Sequence, residues 1–365
     1  MKRKRVLKMI ICFSVFVAVL LLLILIVFPP SKGKLPQFYD ENGEVMENGI
    51  AEKCYLEVED GNLGMIIMAK DISNPVLLVC GGGPGISEYL LEYMYPSGLT
   101  DKFVVCYLEY RGTGLSYSSD IKAEEMTTEK YILDVVAVSK YLSERFEQDK
   151  IYIMGHSFGT YIAIKTVQQY PEYYNAYIAM AQICNQIESE YMAYDYMKAQ
   201  YEQLGNTKMV EKFEKFPIRE SDEMYTKYFS SSLRDTAMHE LGVGTTRDMD
   251  SVITGIFFPS LRCKAYTWQE RINIWRGKGM ATQFPVVRDA THFNAFNEVT
   301  SLQIPIYFFA GKYDYTCCFD LQYEYYEQIN APIKEFYVFD NSAHSPIFEE
   351  PEEAAKLFEE ILEVE

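Results

Sequence analysis

Gly155-His156-Ser157-Phe158-Gly159 lies between an apolar run, Ile151-Tyr152-Ile153-Met154, and a helix-like segment at 160–169. Strand, G-x-S-x-G, helix is the setting of a nucleophile elbow. The reason is steric. A turn this sharp lifts the serine hydroxyl clear of a sheet, and the flanking glycines keep side chains away where strand and helix nearly collide. Outside that setting the pattern is only a Gly-Ser turn, so the partners of Ser157 have to be found elsewhere in the chain.

Working downstream, Ile304-Pro305-Ile306-Tyr307-Phe308-Phe309-Ala310 reads as a buried strand that ends at Gly311-Lys312-Tyr313-Asp314. Phe336-Tyr337-Val338-Phe339 reads as the next strand, and Asp340 to Pro346 as the loop after it, with His344 inside. A serine hydroxyl at neutral pH needs a base beside it. An imidazole can take that proton and return it, and a carboxylate must hold its other nitrogen. The chain has four histidines. His156 sits inside the elbow, where it should point away from Ser157. His239 and His292 fall in a segment read below as a cap, which leaves His344 as the base. Asp340 competes with Asp314 for the carboxylate role. Asp314 is favoured because it ends its own strand.

Upstream, Cys80-Gly81-Gly82-Gly83-Pro84-Gly85 follows the apolar run at 75–79. Glycines there let backbone N–H groups approach a substrate oxygen. The predicted oxyanion hole combines the N–H of Phe158 with one from this loop, most plainly Gly83. A phosphate cradle would need a lysine or a G-x-G-x-x-G spacing, and neither is present in the loop.

Five ordered motifs now stand together: Gly81-Gly82-Gly83-Pro84-Gly85, Tyr110-Arg111-Gly112-Thr113-Gly114-Leu115-Ser116, the elbow, Gly311-Lys312-Tyr313-Asp314 and Ser342-Ala343-His344. Over residues 50 to 360 they resemble the proline iminopeptidase family of α/β-hydrolases (peptidase family S33), which shares the chain order Ser, Asp, His. The resemblance implies an aminopeptidase that removes an N-terminal residue, such as proline, from short peptides. Two departures bear on substrate preference. The family's loop usually begins with histidine where Gly81 stands here. Its Asp-Gln-Arg-Gly is Glu109-Tyr110-Arg111-Gly112 here. By resemblance, Arg111 ties loops beneath the site.

The N-terminus has Lys2, Arg3, Lys4 and Arg5, then an almost wholly apolar run from Met9 to Phe28. That is long enough to span a bilayer, and the basic residues before it place the N-terminus in the cytoplasm and the folded domain outside. A cleaved signal peptide is the rival reading, but the run ends Phe28-Pro29-Pro30 without an A-x-A-like site. Residues 29–50 then read as a tether rich in Pro, Gly and charge. Five of the 34 basic residues and none of the 52 acidic ones lie in residues 1–28, so the remainder carries a net charge of −23. Such a surface repels nucleic acid. The eight cysteines have no C-x-x-C pair or His/Cys cluster that would suggest a metal, and the chemistry read above calls for no cofactor. Cys80 and Cys106 fall in predicted strands as small buried hydrophobes.

The predicted fold is α/β: a mostly parallel sheet covered by helices on both faces, with an inserted helical cap. Residues 51–182 form the first part of the core, 183–302 the cap and 303–365 the second part. An opening hairpin turns at Asp60-Gly61. Strands follow near 75–80, 103–109, 151–154, 175–181, 304–310 and 335–339, and helices near 127–146, 158–170, 322–330 and 351–363. The tyrosines at 191, 194, 196 and 201 read as packing. An aminopeptidase must also meet a free ammonium with an acid, and the cap's first helix offers Glu188 or, second, Glu190. Two other readings stay open: an esterase or lipase-like hydrolase of small acyl substrates, and a catalytically silent ligand-binding receptor.

Overall fold

A computed structural model describes residues 2–364, apart from the side chains of residues 2–5 and 7. The basic side chains at 2–5, on which the expected orientation of the N-terminal helix rests, therefore lie outside the described residues. Eight strands form one sheet in the order β1-β2-β4-β3-β5-β6-β7-β8. They are β1 Ile50–Val58, β2 Gly61–Ala69, β3 Val76–Cys80, β4 Val104–Leu108, β5 Ile151–His156, β6 Tyr174–Met180, β7 Ile306–Gly311 and β8 Lys334–Phe339. β1 and β2 make the hairpin at Asp60-Gly61, and β2 meets β4 antiparallel. All later pairings are parallel.

The helices that matter for the site are α1 Lys2–Val27, α2 Glu88–Met94, α3 Thr128–Arg145, α4 Phe158–Gln169, α5 Gln186–Gln203, α6 Ser232–Glu240, α7 Trp268–Ala281 and α8 Pro351–Val364. β3, β4, β5 and β7 are buried along their whole length. Their unbroken apolar runs are the signature of parallel strands covered on both faces. One face packs under α3 and α4, with Val135, Val138, Ile162 and Val167 in the core. The other packs under α2 and α8, with Leu90, Leu357 and Phe358.

Between β6 and β7 the sheet is interrupted by a run of helices that includes α5, α6 and α7. It has its own apolar cluster of Tyr194, Met197, Tyr201, Phe213 and Tyr228. Tyr196 stacks on Tyr315 at 4.0 Å, so these tyrosines pack.

The N-terminal run forms α1, whose stretch Lys8–Val27 has a mean hydropathy of 3.5 and is not buried inside the protein. The segment after it is not a free tether. The Pro29 carbonyl accepts from Trp268 Nε1 (3.0 Å) and Arg271 Nη1 (2.6 Å). Lys32 bridges Thr267, and Leu35 is buried in the same apolar cluster as Cys263 and Tyr266. Its Pro, Gly and Lys content read as linker because the burial of one leucine does not show in composition.

Candidate active site

The elbow forms because two crowded contacts require glycine and a third favours it. A Cβ on Gly155 would stand 2.7 Å from Thr160 Cα, and one on Gly159 would collide with the Cys80 carbonyl. A Cβ on Gly82 would lie 3.1 Å from that of Ser157. Between them Ser157 takes φ 54°, a left-handed value that costs a non-glycine residue on the order of 1–3 kcal/mol. The Ser157 N–H donates to the Met180 carbonyl (3.1 Å), and α4 starts at the next residue.

Asp314 follows the end of β7 and is fully buried. Its Oδ1 accepts the N–H groups of Thr316 (2.8 Å) and Cys317 (2.9 Å). Both of its oxygens face His344 Nδ1, at 3.1 and 3.0 Å. The two loops can approach because Gly311 has no Cβ to strike the Ala343 carbonyl. Asp340, the alternative carboxylate, turns outward to Lys312 Nζ at 2.7 Å. Ser157 and His344 line one cavity of about 340 Å³, together with Gly83, Pro84 and Phe158. That is a size suited to a small ligand.

Beneath this cavity lies a network the sequence did not reveal. His156 Nε2 donates to the His344 carbonyl (2.9 Å), and His156 Nδ1 meets Glu88 Oε1 (2.7 Å). The other oxygen of Glu88 accepts the Gly82 N–H (3.2 Å). The Gly82 amide is thus engaged, while Gly83, at φ 112°, lines the cavity. The network also explains the first departure from the family's loop. A Cβ on Gly81 would stand 3.0 Å from Glu88 Cβ and 3.1 Å from its Oε2, so the missing side chain makes room for Glu88.

The second departure is equally local. Glu109 is buried, and desolvation raises its pKa. It accepts from Tyr266 Oη and the Leu115 N–H, both at 2.5 Å, tying the helical insertion to the core. Tyr110 packs edge-on against Phe158 at 5.7 Å. Arg111 does tie loops together: it forks onto Asp134 and donates to the carbonyls of Glu59 (3.1 Å) and Asp60 (3.0 Å).

Neither acid expected to meet a substrate amine reaches the cavity as a free carboxylate. Glu188 is exposed in the first turn of α5, and its N–H is capped by Asn185. Glu190 is fully buried, and both its oxygens are held by Arg234 of α6, Nε at 2.7 Å and Nη2 closer still. Helical spacing shows which residues share a face of α5. It does not show that an arginine 44 positions later neutralises one of them. The carboxylates that do line the cavity are Glu88 and Asp235. Lys278 of α7 also lines it, donating Nζ to the carbonyls of Gly83 (3.1 Å) and Pro84 (3.2 Å). Desolvation pulls its pKa down to about 8.

A parallel sheet with its elbow after β5, an acid loop after β7 and a histidine loop after β8 defines a hydrolase scaffold. The chain belongs to the α/β-hydrolase fold family, whose model matches residues 75–351. It is similar to the probable aminopeptidase YbaC of Bacillus subtilis (strain 168), with 29% identity over 299 residues, 81% of this chain and 92% of that one. In fold it is similar to the proline iminopeptidase of Mycobacterium smegmatis, with a TM-score of 0.63 and 15% identity over 86% of this chain and 98% of that one. It is also similar to the malate-bound structure of a thermophilic esterase from Thermogutta terrifontis, with a TM-score of 0.52 and 17% identity over 86% and 98%.

Proposed function

We propose that the protein is a membrane-anchored serine hydrolase, acting as an aminopeptidase on short peptides through an acyl-enzyme. Ser157 attacks the carbonyl, and His344 takes its proton and later returns it to the leaving amine. Asp314 holds the ring in the tautomer that leaves Nε2 free to act, and stabilises the imidazolium. The N–H groups of Phe158 and Gly83 receive the oxyanion. The observation that carries this reading is the seating of His344 Nδ1 on both oxygens of Asp314, at the wall of a cavity that also exposes Ser157. The likeness to a probable aminopeptidase supports peptides as substrates.

Residues 183–302 act as the cap over this cavity. The amine partner is moved from the first cap helix to Asp235. Glu88 lies behind the oxyanion loop with His156, whereas the Asp235 side chain is 43% exposed and lines the cavity. The Lys8–Val27 stretch, about 30 Å long as a helix, crosses the membrane with the folded domain on the outer side. An esterase of small acyl substrates is the second reading. It is favoured by the apolar lining of Leu91, Ile183, Val252, Ile256 and Val287, and by the neutralisation of Glu190.

Fluorophosphonate labelling and a substrate panel test these readings together. Wild type should be labelled and Ser157→Ala should not; an unlabelled wild type would instead favour a ligand-binding receptor. Asp235→Asn should raise KM for free-amine substrates and leave simple esters unchanged. Equal turnover of acetylated and free-amine substrates would overturn the aminopeptidase reading in favour of the esterase.

A further inference from the structure

The end of α1 is built into the cap. Phe28 stacks on Trp268, the first residue of α7, with ring centroids 5.3 Å apart. Arg271 is fully buried in the next turn and donates to the carbonyls of Pro29 and Leu261. Around this joint lie large apolar side chains open to solvent: Ile253 (60% exposed), Phe258 (37%), Trp268 (41%) and Ile272 (44%). Trp268 and Ile272 are one turn apart on the same face of α7. Trp275 continues the stripe, packing on Phe257 at 4.8 Å and donating Nε1 to Ser260.

Charge reverses here as well. Residues 251–281 hold five basic residues and one acid, in a domain whose net charge is −23. Arg262 and Lys264 are exposed beside the patch. Aromatic and aliphatic side chains rimmed by Arg and Lys suit the interface between lipid headgroups and acyl chains. Elsewhere the acidic surface would be repelled by anionic lipid.

We infer that this face of the cap, residues 253–272, rests on the surface of the bilayer that α1 crosses, so that the enzyme works at the membrane interface. The inference depends on the anchor reading above. The partner is the lipid surface because α1 delivers the patch to it: Phe28, directly after the anchor, already touches Trp268. The same cap segment reaches the active site. Val252, Ile256, Trp275 and Lys278 line the cavity. Lys278 lies ten residues after Trp268, at most about 15 Å along α7. A cavity that near the headgroups, with one wall continuous with the embedded face, fits substrates that partition into the interface, such as peptides or esters carrying an apolar tail.

The chain contains only two tryptophans, Trp268 and Trp275, so intrinsic fluorescence reports on this stripe. The full chain is reconstituted into phosphatidylcholine vesicles, with and without bromine in the upper acyl chain. Flotation of the chain with the vesicles tests the anchor separately. Brominated lipid should quench the emission. Trp268→Phe should lose most of that quenching, and so should the combined Ile253→Ser, Phe258→Ser and Ile272→Ser variant. The combined variant should keep full activity on a small water-soluble ester. Flotation without quenching overturns the interfacial face and leaves the anchor standing. If Trp268 is unquenched by lipid yet shielded from aqueous acrylamide, a second copy of the chain covers the face and the inference also fails. A chain that does not float overturns the anchor reading and this inference with it.

Discussion

Replacing Glu88 by leucine removes the acceptor that links the oxyanion loop to the elbow. In the native chain the His344 carbonyl can only accept, so His156 Nε2 carries a proton. A second proton lies between His156 Nδ1 and Glu88. Leucine is about the same size, but it would leave the buried His156 Nδ1 and the part-buried Gly82 N–H without their acceptor. Each orphaned group costs about 1–3 kcal/mol, in line with the roughly 3–5 kcal/mol for breaking a buried pair. Against a total stability of about 5–15 kcal/mol this is severe. Glutamine behaves differently. Its carbonyl can accept from Gly82, and its amide can donate to a neutral His156, so every group stays paired. Glu88→Gln should therefore cost less than about 1.5 kcal/mol.

Urea unfolding at neutral pH, with linear extrapolation, measures both variants. A Glu88→Leu chain as stable as wild type would refute the reasoning. The pH dependence supplies a second check. Desolvation opposes the charging of His156, but the charge and hydrogen bond of Glu88, the His344 carbonyl and the charge of Asp314 outweigh it, and the pKa is raised. The folded state then holds this proton to higher pH than the unfolded chain does. The stability it contributes is complete below the ordinary histidine value of about 6.5 and is lost as pH rises through the native value. Glu88→Gln should flatten that decline.

Two further substitutions act at the site itself. Asp314→Asn keeps the shape but favours the wrong tautomer of His344, and should lower kcat by about 10³–10⁴-fold with little change in the unfolding midpoint. Lys278→Met removes two charge-assisted bonds to the carbonyls of Gly83 and Pro84, and should loosen the loop proposed to supply an oxyanion donor. With such bonds worth about 1.5–3 kcal/mol each, kcat should fall at least tenfold while KM for neutral substrates stays close to wild type; an unchanged kcat would make the contact incidental.

Much of this architecture was legible because its signals are local. Buried parallel strands are short apolar runs, and those around Val76–Cys80 and Val104–Leu108 were placed to within a residue. The elbow is set by glycines that collide when given a Cβ, and collision is a property of spacing. The placing of Asp314 after β7 and His344 after β8 follows from strand ends, which mark themselves by composition. What was not legible depends on pairs distant in the chain. Glu190 looks available until Arg234 is beside it. His156 was expected only to point away from Ser157, and nothing in the sequence aimed it at Glu88, 68 positions earlier. A usable signal did exist in Gly81. A glycine at this point of the loop leaves a space, and an acid at the start of the following helix is the side chain placed to fill it.

The cap poses the harder problem, because one helix serves two ends. The first turn of α7 is fixed by a capping box between Thr267 and Glu270 and by Arg271, whose fork gathers the carbonyls of Pro29, Leu261, Cys263 and Tyr266. Its last turns pass Gly277, where a Cβ would stand 2.8 Å from the Gly112 carbonyl, and Lys278 on the oxyanion loop. A rigid helix held at both ends transmits position. A displacement of the joint at Phe28 and Trp268 must move Lys278, distort the helix or break one of these contacts. Sequence cannot show this coupling, because the contacts at each end of α7 join residues far apart in the chain and only the shared helix links them. The segment after the apolar helix is therefore packed onto the start of α7. Its contacts with Trp268 and Arg271 hold one end of the helix whose other end brings Lys278 to the carbonyls of Gly83 and Pro84.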